Sequence, residues 1–368
     1  MARIRAAFLV WGKGMEVLVV NETDWNSRYD GLKGQTNKFL IALNSYQNMD
    51  VLPNMIYHWF GLILVLGCEN VVFSIYENGS QDLTRGLIRM FRDGLRGLRV
   101  GYRMHVDSQK TDWKSVHRIE ELAKMRNLAL APIWDKRFGS GFEYVVFFND
   151  VVFGLEDVLE LVYQAMVQKT ALTCGMDYAD WPDGLTYYDV WVGRDLAGRA
   201  FYPPYQGHWQ SGQAILQSHV ESRARYEEWL PFQVFSCWNG LVVIQAKALV
   251  GINGFRRSNP LRGECSASEC QLLAKDLQQS GHTRVMVVPR VSLTYEHGLY
   301  EKIAQFKQEP HLSKKELVEF VKGPEKVACY PLEGIGRFDA DWAKEINETI
   351  RYKLINGLKN LRSSIIQC

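Results

Sequence analysis

The sequence predicts an α/β protein built on a mainly parallel, Rossmann-like sheet flanked by helices, and three observations carry that expectation. Strand-like and helix-like stretches alternate through the first half of the chain, the pattern of parallel strands joined by right-handed crossovers. The run Tyr144-Val-Val-Phe-Phe148 is wholly β-branched and aromatic, as a strand buried on both faces must be. That run stops at Asn149-Asp150, two polar side chains at the carboxyl end of the strand, where open α/β sheets collect their ligands. A carboxylate there suits a divalent cation with oxygen ligands, and hence a phosphate-bearing substrate, although the same dipeptide also reads as a simple Asx turn.

In chain order, Met1 to Gln35 mixes charge, Gly and Trp without period and is expected to wrap the surface. Lys38 to Asn44 is the first strand, Leu52-Pro53 opens a helix reaching about Leu66, and Asn70 to Tyr76 is the next strand. Glu77-Asn-Gly-Ser-Gln-Asp82 has turn chemistry. Leu83, Leu87, Phe91 and Leu95 then recur at helical spacing, with Arg85, Arg89, Arg92 and Arg96 on the other face as a solvated stripe. Val100 to Val106 reads as a strand and Ser115 to Asn127 as a helix, followed by the central strand and a helix over Leu155 to Gln168. In the second half, Cys174 to Tyr178 precedes a long loop, Ala179 to Gly212, rich in aromatic residues, Asp and Gly. Phe232 to Gly240 leads into a strand at Leu241 to Gln245. A helix from Glu264 to about Gln279 has Ser266 or Ser268 as its cap, and Arg284 to Pro289 is the last strand, trailed by Tyr295-Glu-His297. From Gly298 onward the pattern is helical and charged, a packing tail. Neither GxGxxG after the first strand nor GxxxxGK[ST] anywhere is present, which excludes a dinucleotide or P-loop fold by motif.

Composition narrows the class. The 368 residues are 47% hydrophobic and 23% charged, a globular balance, and the formal charge of +2 gives no reason to expect nucleic acid or an anionic membrane as main partner. The longest apolar run, His58 to Gly67, is too short to span a bilayer, and Met1 to Gly14 does not resemble a signal peptide. The protein is therefore expected to be cytosolic, unless an anchor is missing from the sequence. Eleven Trp and seventeen Tyr suit stacking on sugar rings but equally suit a core. Among seven cysteines, Cys265 and Cys270 are spaced for a local disulfide, while Cys68, Cys174 and Cys237 sit in apolar runs as expected free thiols. Sequons at Asn21, Asn78 and Asn347 are permissive of a secretory lumen.

Several stretches in one order carry a resemblance: Arg118-Ile-Glu-Glu-Leu-Ala-Lys-Met-Arg-Asn127, Phe148-Asn-Asp-Val-Val-Phe153, Tyr188-Asp-Val-Trp-Val-Gly-Arg-Asp195, Phe235-Ser-Cys-Trp-Asn-Gly240 and Ser268-Glu-Cys270. Together they resemble the fungal capsule-associated α-1,3-mannosyltransferases, glycosyltransferase family 69, over roughly residues 38 to 300. Lys38 to Pro53, including Asn44, and Glu77 to Thr84 fit the family's opening strand and following loop, with Glu77 and Ser80 in place and Asn78 where Ser is commoner. The resemblance implies a GT-A-type fold, GDP-mannose as donor, Mn2+ or Mg2+, and residence in the Golgi or ER lumen. It divides the chain into an extension (1–37), a catalytic domain (38–150 binding the nucleotide sugar, 151–300 the acceptor) and a helical tail (301–368).

It also implies roles. GT-A enzymes hold the metal with a DxD motif after a central strand; here that place reads Phe148-Asn149-Asp150, so only the last acid remains. Asp150 is the expected metal ligand, His297 a second, and Asn149 turns toward ribose or phosphate. The departing nucleoside diphosphate gathers negative charge, which a cation, Arg126 beside Asn127, or Arg194 would neutralise. An α-linked donor giving an α-linked product implies retention, with Glu269 first, then Asp195 and Asp189, as carboxylates shielding the cationic sugar or orienting the acceptor hydroxyl. Glu269 also reads as a helix-dipole residue in a first turn. Asp177, Trp238, Asn239 and Gly240 are the expected acceptor-side residues, Trp238 reading equally as core, and His297 equally as a surface histidine. A glycoside hydrolase using paired carboxylates is disfavoured because hydrolysis needs neither metal nor a nucleotide-binding half. A non-catalytic glycan-binding or polysaccharide-export factor is the remaining alternative, kept open by the reduced DxD.

Overall fold

Residues of β1 (Phe39–Ser45) alternate between two cores, which is why its sequence is apolar without a break. Phe39, Ile41 and Leu43 join Trp59, Phe73, Phe91 and Val162 on one side of the sheet. Leu40 and Ala42 join Ala123, Met125 and Leu273 on the other. Strand β4 (Tyr144–Phe148) does the same, with Val146 and Phe148 on the first side and Val145 and Phe147 on the second. The computed structural model describes residues 27–138, 141–181, 184–202, 215–305, 314–331 and 346–352.

The elements follow in order: β1, helix α1 (Leu52–Leu66), β2 (Val71–Glu77), α2 (Thr84–Leu98), β3 (Gly101–Val106), α3 (Arg118–Leu130), β4 and α4 (Leu155–Gln168). The second half adds β5 (Leu172–Trp181), β6 (Gly184–Tyr187), α5 (Val220–Glu227), β7 (Phe232–Gln233), β8 (Leu241–Gln245) and α6 (Ala246–Ile252). It ends with α7 (Glu269–Gln279), β9 (Val285–Thr294), α8 (His297–Ala304), β10 (Lys326–Cys329) and β11 (Ile346–Thr349). Among the described residues a nine-stranded sheet runs β3-β2-β1-β4-β8-β5-β9-β7, with β6 on β5. β1, β2, β3, β4, β5 and β9 point one way; β6, β7 and β8 run against them. This is the mostly parallel, helix-flanked α/β fold that the sequence predicts. The carboxyl ends of β1, β2, β4, β5 and β9 therefore open on a common edge.

Four expectations are corrected. The described part of the N-terminal extension is not superficial: Arg28, Tyr29 and Leu32 are buried, and Arg28 ion-pairs Glu160 and Glu316, both at 2.7 Å. The last strand does not stop at Pro289. Proline lacks the ladder N–H, but the register between β5 and β9 slips there, so Pro289 falls in the irregular stretch and pairing resumes as far as Thr294. The C-terminal segment is not helical throughout. Val327-Ala-Cys-Tyr330 is buried and β10 pairs antiparallel with β11, its Ala328 N–H donating to the Gly198 carbonyl at 2.7 Å. Charge along that segment obscured a short strand whose partner is remote. The residues of the long loop at 182–183 and 203–214, and the Asn21 sequon, lie outside the described residues.

The cysteines form the fourth correction. Cys174 and Cys237 are bonded to each other, and Cys265 pairs with Cys329 rather than Cys270, while among the described residues Cys68 and Cys270 are free. Residues 63 apart cannot be matched by local spacing, and burial in apolar runs suits a disulfide as well as a thiol. Cys174–Cys237 ties β5 to the segment entering β8. Closing a loop of that size restricts the unfolded chain, so the Cys174→Ala/Cys237→Ala variant is expected to lose roughly 2–4 kcal/mol of stability. A urea melt with the midpoint unchanged would contradict this.

Candidate active site

Asn149 and Asp150 emerge at the end of β4, with the Asn149 N–H donating to the Gly240 carbonyl at 2.7 Å. Asn149 lies on the Phe147 side of the sheet, where α3 delivers Arg126. Arg126 donates from Nε to Glu269 Oε1 at 2.9 Å and from Nη1 to Asn149 Oδ1 at 3.3 Å. Its guanidinium lies over Trp238 at 4.6 Å and also faces Phe147 and Phe255. Trp238 Nε1 donates to the same Asn149 oxygen at 3.0 Å. With its carbonyl taken by two donors, Asn149 has its NH2 group left to donate. Asn44 fixes this arrangement from β1. In the orientation that satisfies both ends, its amide donates to the Met125 carbonyl and accepts from the Arg126 N–H, each at 3.1 Å.

A second group of acids lies on β5 and just after β6. Asp177 is fully buried and accepts from Tyr295 Oη at 3.0 Å and from the Asp189 N–H at 3.2 Å. Asp189, half-buried, accepts from the Asn239 N–H at 2.9 Å. Asn239 stands in the left-handed region at φ 56°, its amide donating to the Gly175 carbonyl at 2.6 Å and accepting from Tyr187 Oη at 2.7 Å. Gly240 follows at φ 80°, and a Cβ there would lie 2.6 Å from Val151. The disulfide and Asn239 thus bind the same two segments, which holds Trp238 and the carboxylates in fixed relation.

Burial first, and Asp189 second, raise the Asp177 carboxyl well above its ordinary range. Burial lifts Asp189 to about 6, against the Asn239 N–H and Arg126, which lower it; Glu269 raises it further and Arg194 lowers it. In the folded protein these acids hold protons that the unfolded chain releases near pH 3.8. Folded protein binds more protons in that window, so this pair's contribution to stability falls as pH rises from about 4 through 6. The Asp177→Asn variant is therefore expected to gain melting temperature relative to the parent as pH increases across that window. A constant or shrinking difference would contradict the account.

Asp150 differs from these. It is exposed, yet the protein around it withdraws enough water to raise its carboxyl above the ordinary range, only partly offset by Arg126. It has no ion-pair partner among the described residues. Asp150, Asp177 and Asp189 all act on the Tyr295 hydroxyl electrostatically, so the three carboxyls share one neighbourhood. An open carboxylate in such surroundings fits a divalent cation whose remaining ligands are phosphate oxygens and water, the usual mode for magnesium-type ions. Among the described residues no three His, Cys, Asp or Glu side chains form a ready-made cage.

The structure brings together Asn44, Arg126, Asn149, Asp150, Asp177, Asp189, Trp238, Asn239, Gly240 and Glu269. Glu269 is buried behind Arg126, and Trp238 is buried as the guanidinium's platform. Others are turned elsewhere. Asn127 is occupied with the Phe255 backbone, donating to its carbonyl and accepting from its N–H, both at 2.8 Å. Arg194 is fully buried, donates to the Ala328 and Gly193 carbonyls at 2.6 and 2.8 Å, and has its pKa lowered by burial to about 10. Asp195 uses one oxygen to accept from the Ala197 and Arg199 N–H groups, both at 2.9 Å, closing a tight turn. His297 is exposed at the start of α8 and meets the Asp50 carbonyl at 3.0 Å. Glu77 accepts from the Ser80 N–H at 2.5 Å and from Arg85 at 3.2 Å, while Ser80 Oγ accepts from the Gln47 N–H at 2.8 Å. Arg85 thereby leaves the solvated stripe. The loop between Glu77 and Ser80 requires Gly79, at φ 69°, because a Cβ would come within 2.2 Å of the Gln109 backbone. Asn78 is buried, its carbonyl accepting from Thr111, and so its sequon is closed to modification in this fold. Tyr188 and Tyr295 escaped sequence reasoning as site residues. The signal available was their position, each following a strand end beside an acid.

A family model described as cryptococcal mannosyltransferase 1 matches residues 38–276, well over half of the chain. The chain belongs to that family. It is a mannosyltransferase-family enzyme of the glycosyltransferase class. A curated relative, the alpha-1,3-mannosyltransferase CMT1 of Cryptococcus neoformans var. neoformans serotype D, is 35% identical, with 85% of this chain and 72% of the relative covered. Solved structures with partial likeness include the mannosyltransferase PcManGT from Pyrobaculum calidifontis in complex with GDP-Man and Mn2+. It has a TM-score of 0.42 and 10% identity, covering 71% of this chain and 57% of that one, so this chain spans little more than half its length. GalNAc-T7 with UDP, GalNAc and Mn2+ has a TM-score of 0.43 and 11% identity, covering 70% of this chain and 42% of that one.

Proposed function

We propose that this enzyme is a metal-dependent, retaining glycosyltransferase that moves mannose from GDP-mannose to a hydroxyl of a glycan acceptor, forming an α-1,3 linkage. The observation that carries this reading is the open Asp150 carboxylate at the end of β4, without an ion-pair partner among the described residues and near the buried Arg126 guanidinium and the Asn149 amide. The family membership and the relative's name, alpha-1,3-mannosyltransferase, support mannose as the transferred sugar and the α-1,3 linkage; GDP-mannose as its carrier is what the resemblance implies. Asp150 would hold Mn2+ or Mg2+, and the bound cation would neutralise the charge developing on the departing diphosphate. Asn149 donates its NH2 to phosphate or ribose. Arg126, held by Glu269 and by the Trp238 face, supplies fixed positive charge in a water-poor setting, where it acts more strongly than in solvent. Asp189 is the accessible carboxylate, placed to shield the cationic sugar or orient the acceptor hydroxyl. Asp177 positions Asp189 through the latter's backbone N–H.

Two disulfides favour residence in an oxidising lumen, the Golgi or ER. Among the described residues no helix is long and apolar enough to cross a membrane. Thermal melting with GDP and Mn2+ together tests the donor site. A rise that neither gives alone, and that Asp150→Ala removes, is the expected result. Equal melting temperatures throughout would overturn the metal-dependent GDP-sugar site.

A further inference from the structure

Tyr188 is the exposed aromatic residue at the edge of this site, 47% accessible although its neighbours on both sides of the chain are engaged. It directly follows β6, and its N–H donates to the Asp177 carbonyl at 3.0 Å, which fixes the backbone opposite the buried acid. Its ring lies on that of Tyr295 at 4.6 Å, tilted by 50°. Tyr295 in turn is held through its hydroxyl on Asp177 at 3.0 Å, so the lower ring of the pair cannot swing away. The outer ring is thus a solvent-facing plane that touches a second, hydrogen-bonded ring. Both tyrosine hydroxyls sense Asp150, Asp177 and Asp189.

A flat aromatic face beside carboxylates is chemistry for a pyranose. The ring's apolar C–H face packs on the aromatic plane, and its hydroxyls donate to carboxylate oxygens. A nucleobase also stacks on an aromatic plane, but clustered carboxylates oppose a polyphosphate carried with it unless a cation intervenes. The cation's carboxylate, Asp150, and the phosphate donors, Asn149 and Arg126, belong to the end of β4 and to α3, whereas Tyr188 directly follows β6, beside Asp177 of β5. We propose that the Tyr188–Tyr295 pair is the platform for the acceptor sugar, with Tyr188 the residue that sets acceptor affinity. This rests on the glycosyltransferase reading above and adds to it the place and the class of the acceptor, a hexopyranoside.

The test uses the whole chain, GDP-mannose, Mn2+ and a panel of methyl α- and β-hexopyranosides at about 10 mM, well above ordinary KM values. GDP release without acceptor reports the donor site; acceleration by a hexoside, with formation of a mannosyl hexoside, reports the acceptor site. In Tyr188→Ala the KM for the accepted hexoside is expected to rise about tenfold or more, well beyond any change in the GDP-mannose KM of acceptor-free release. Tyr188→Phe, which keeps the plane, should behave as the parent. Unchanged acceptor KM in Tyr188→Ala would overturn the proposal, as would loss of acceptor-free release with a raised donor KM, which would place Tyr188 on the donor side. Acceleration by no hexoside at all in the parent would also overturn it. Absence of GDP release by the parent under any condition is a different failure: it removes the transferase reading, and the platform falls with it.

Discussion

Arg126→Met is expected to abolish transfer and to destabilise the fold by roughly 3–5 kcal/mol, the range for removing one partner of a buried ion pair. Both effects have one cause. Arg126 is buried with Glu269 at 2.9 Å, and without the guanidinium Glu269, itself 2% exposed, is left as an uncompensated buried charge. Adding Glu269→Gln neutralises that charge, so the Arg126→Met/Glu269→Gln pair should recover most of the stability and none of the activity. Arg126→Lys should not rescue either property. An ammonium cannot span Glu269 and Asn149 at once in the fork geometry, nor stack on the indole as a plane. Urea melts and GDP release on the same samples check this. A Met variant as stable and as active as the parent would remove Arg126 from the account.

Asp189→Asn is the opposite case. Its carboxyl is pushed up to about 6 by burial, so at neutral pH the parent carries an ionised group that the fold disfavours. Asparagine keeps an oxygen to accept from the Asn239 N–H and removes the charge. The variant should therefore be as stable as the parent at pH 7, or more so, while transfer falls by about 10²–10⁴-fold, the usual span for a positioned catalytic carboxylate. An intact fold with full activity would shift that role to another acid.

The two variants show what the sequence could and could not disclose. The central strand and its polar terminus were legible because β4 lies between β1 and β8, and burial on both faces forces an unbroken apolar run that ends where the sheet ends. Arg126, Asn149 and Asp189 were legible as residues of matching motifs, but their partners were not. Arg194 and Asp195 stand in the same motif as Asp189, and nothing in the motif says that Arg194 turns to the Ala328 carbonyl while Asp189 faces the cleft. Asn127 follows Arg126, yet a step of one residue on a helix is about 100° of rotation, and that turns it to Phe255. The helix expected from Glu264 begins at Glu269, with Ser268, one of the two candidate caps, as its cap, and only packing reveals that Glu269 is engaged by Arg126. The disulfide partners, 63 and 64 residues apart, and the strand at Lys326–Cys329 depend on contacts remote in sequence.

The central claim is that Asp150, at the end of β4, organises a cation and a nucleotide sugar. It is tested most directly by acceptor-free release of GDP from GDP-mannose, measured with and without Mn2+ in the parent and in Asp150→Ala. Asp150 is exposed and lacks an ion-pair partner among the described residues, so this variant should fold and melt as the parent does. The account predicts Mn2+-dependent release by the parent and none by Asp150→Ala. Release that is independent of Mn2+, or equal in the two proteins, would contradict it.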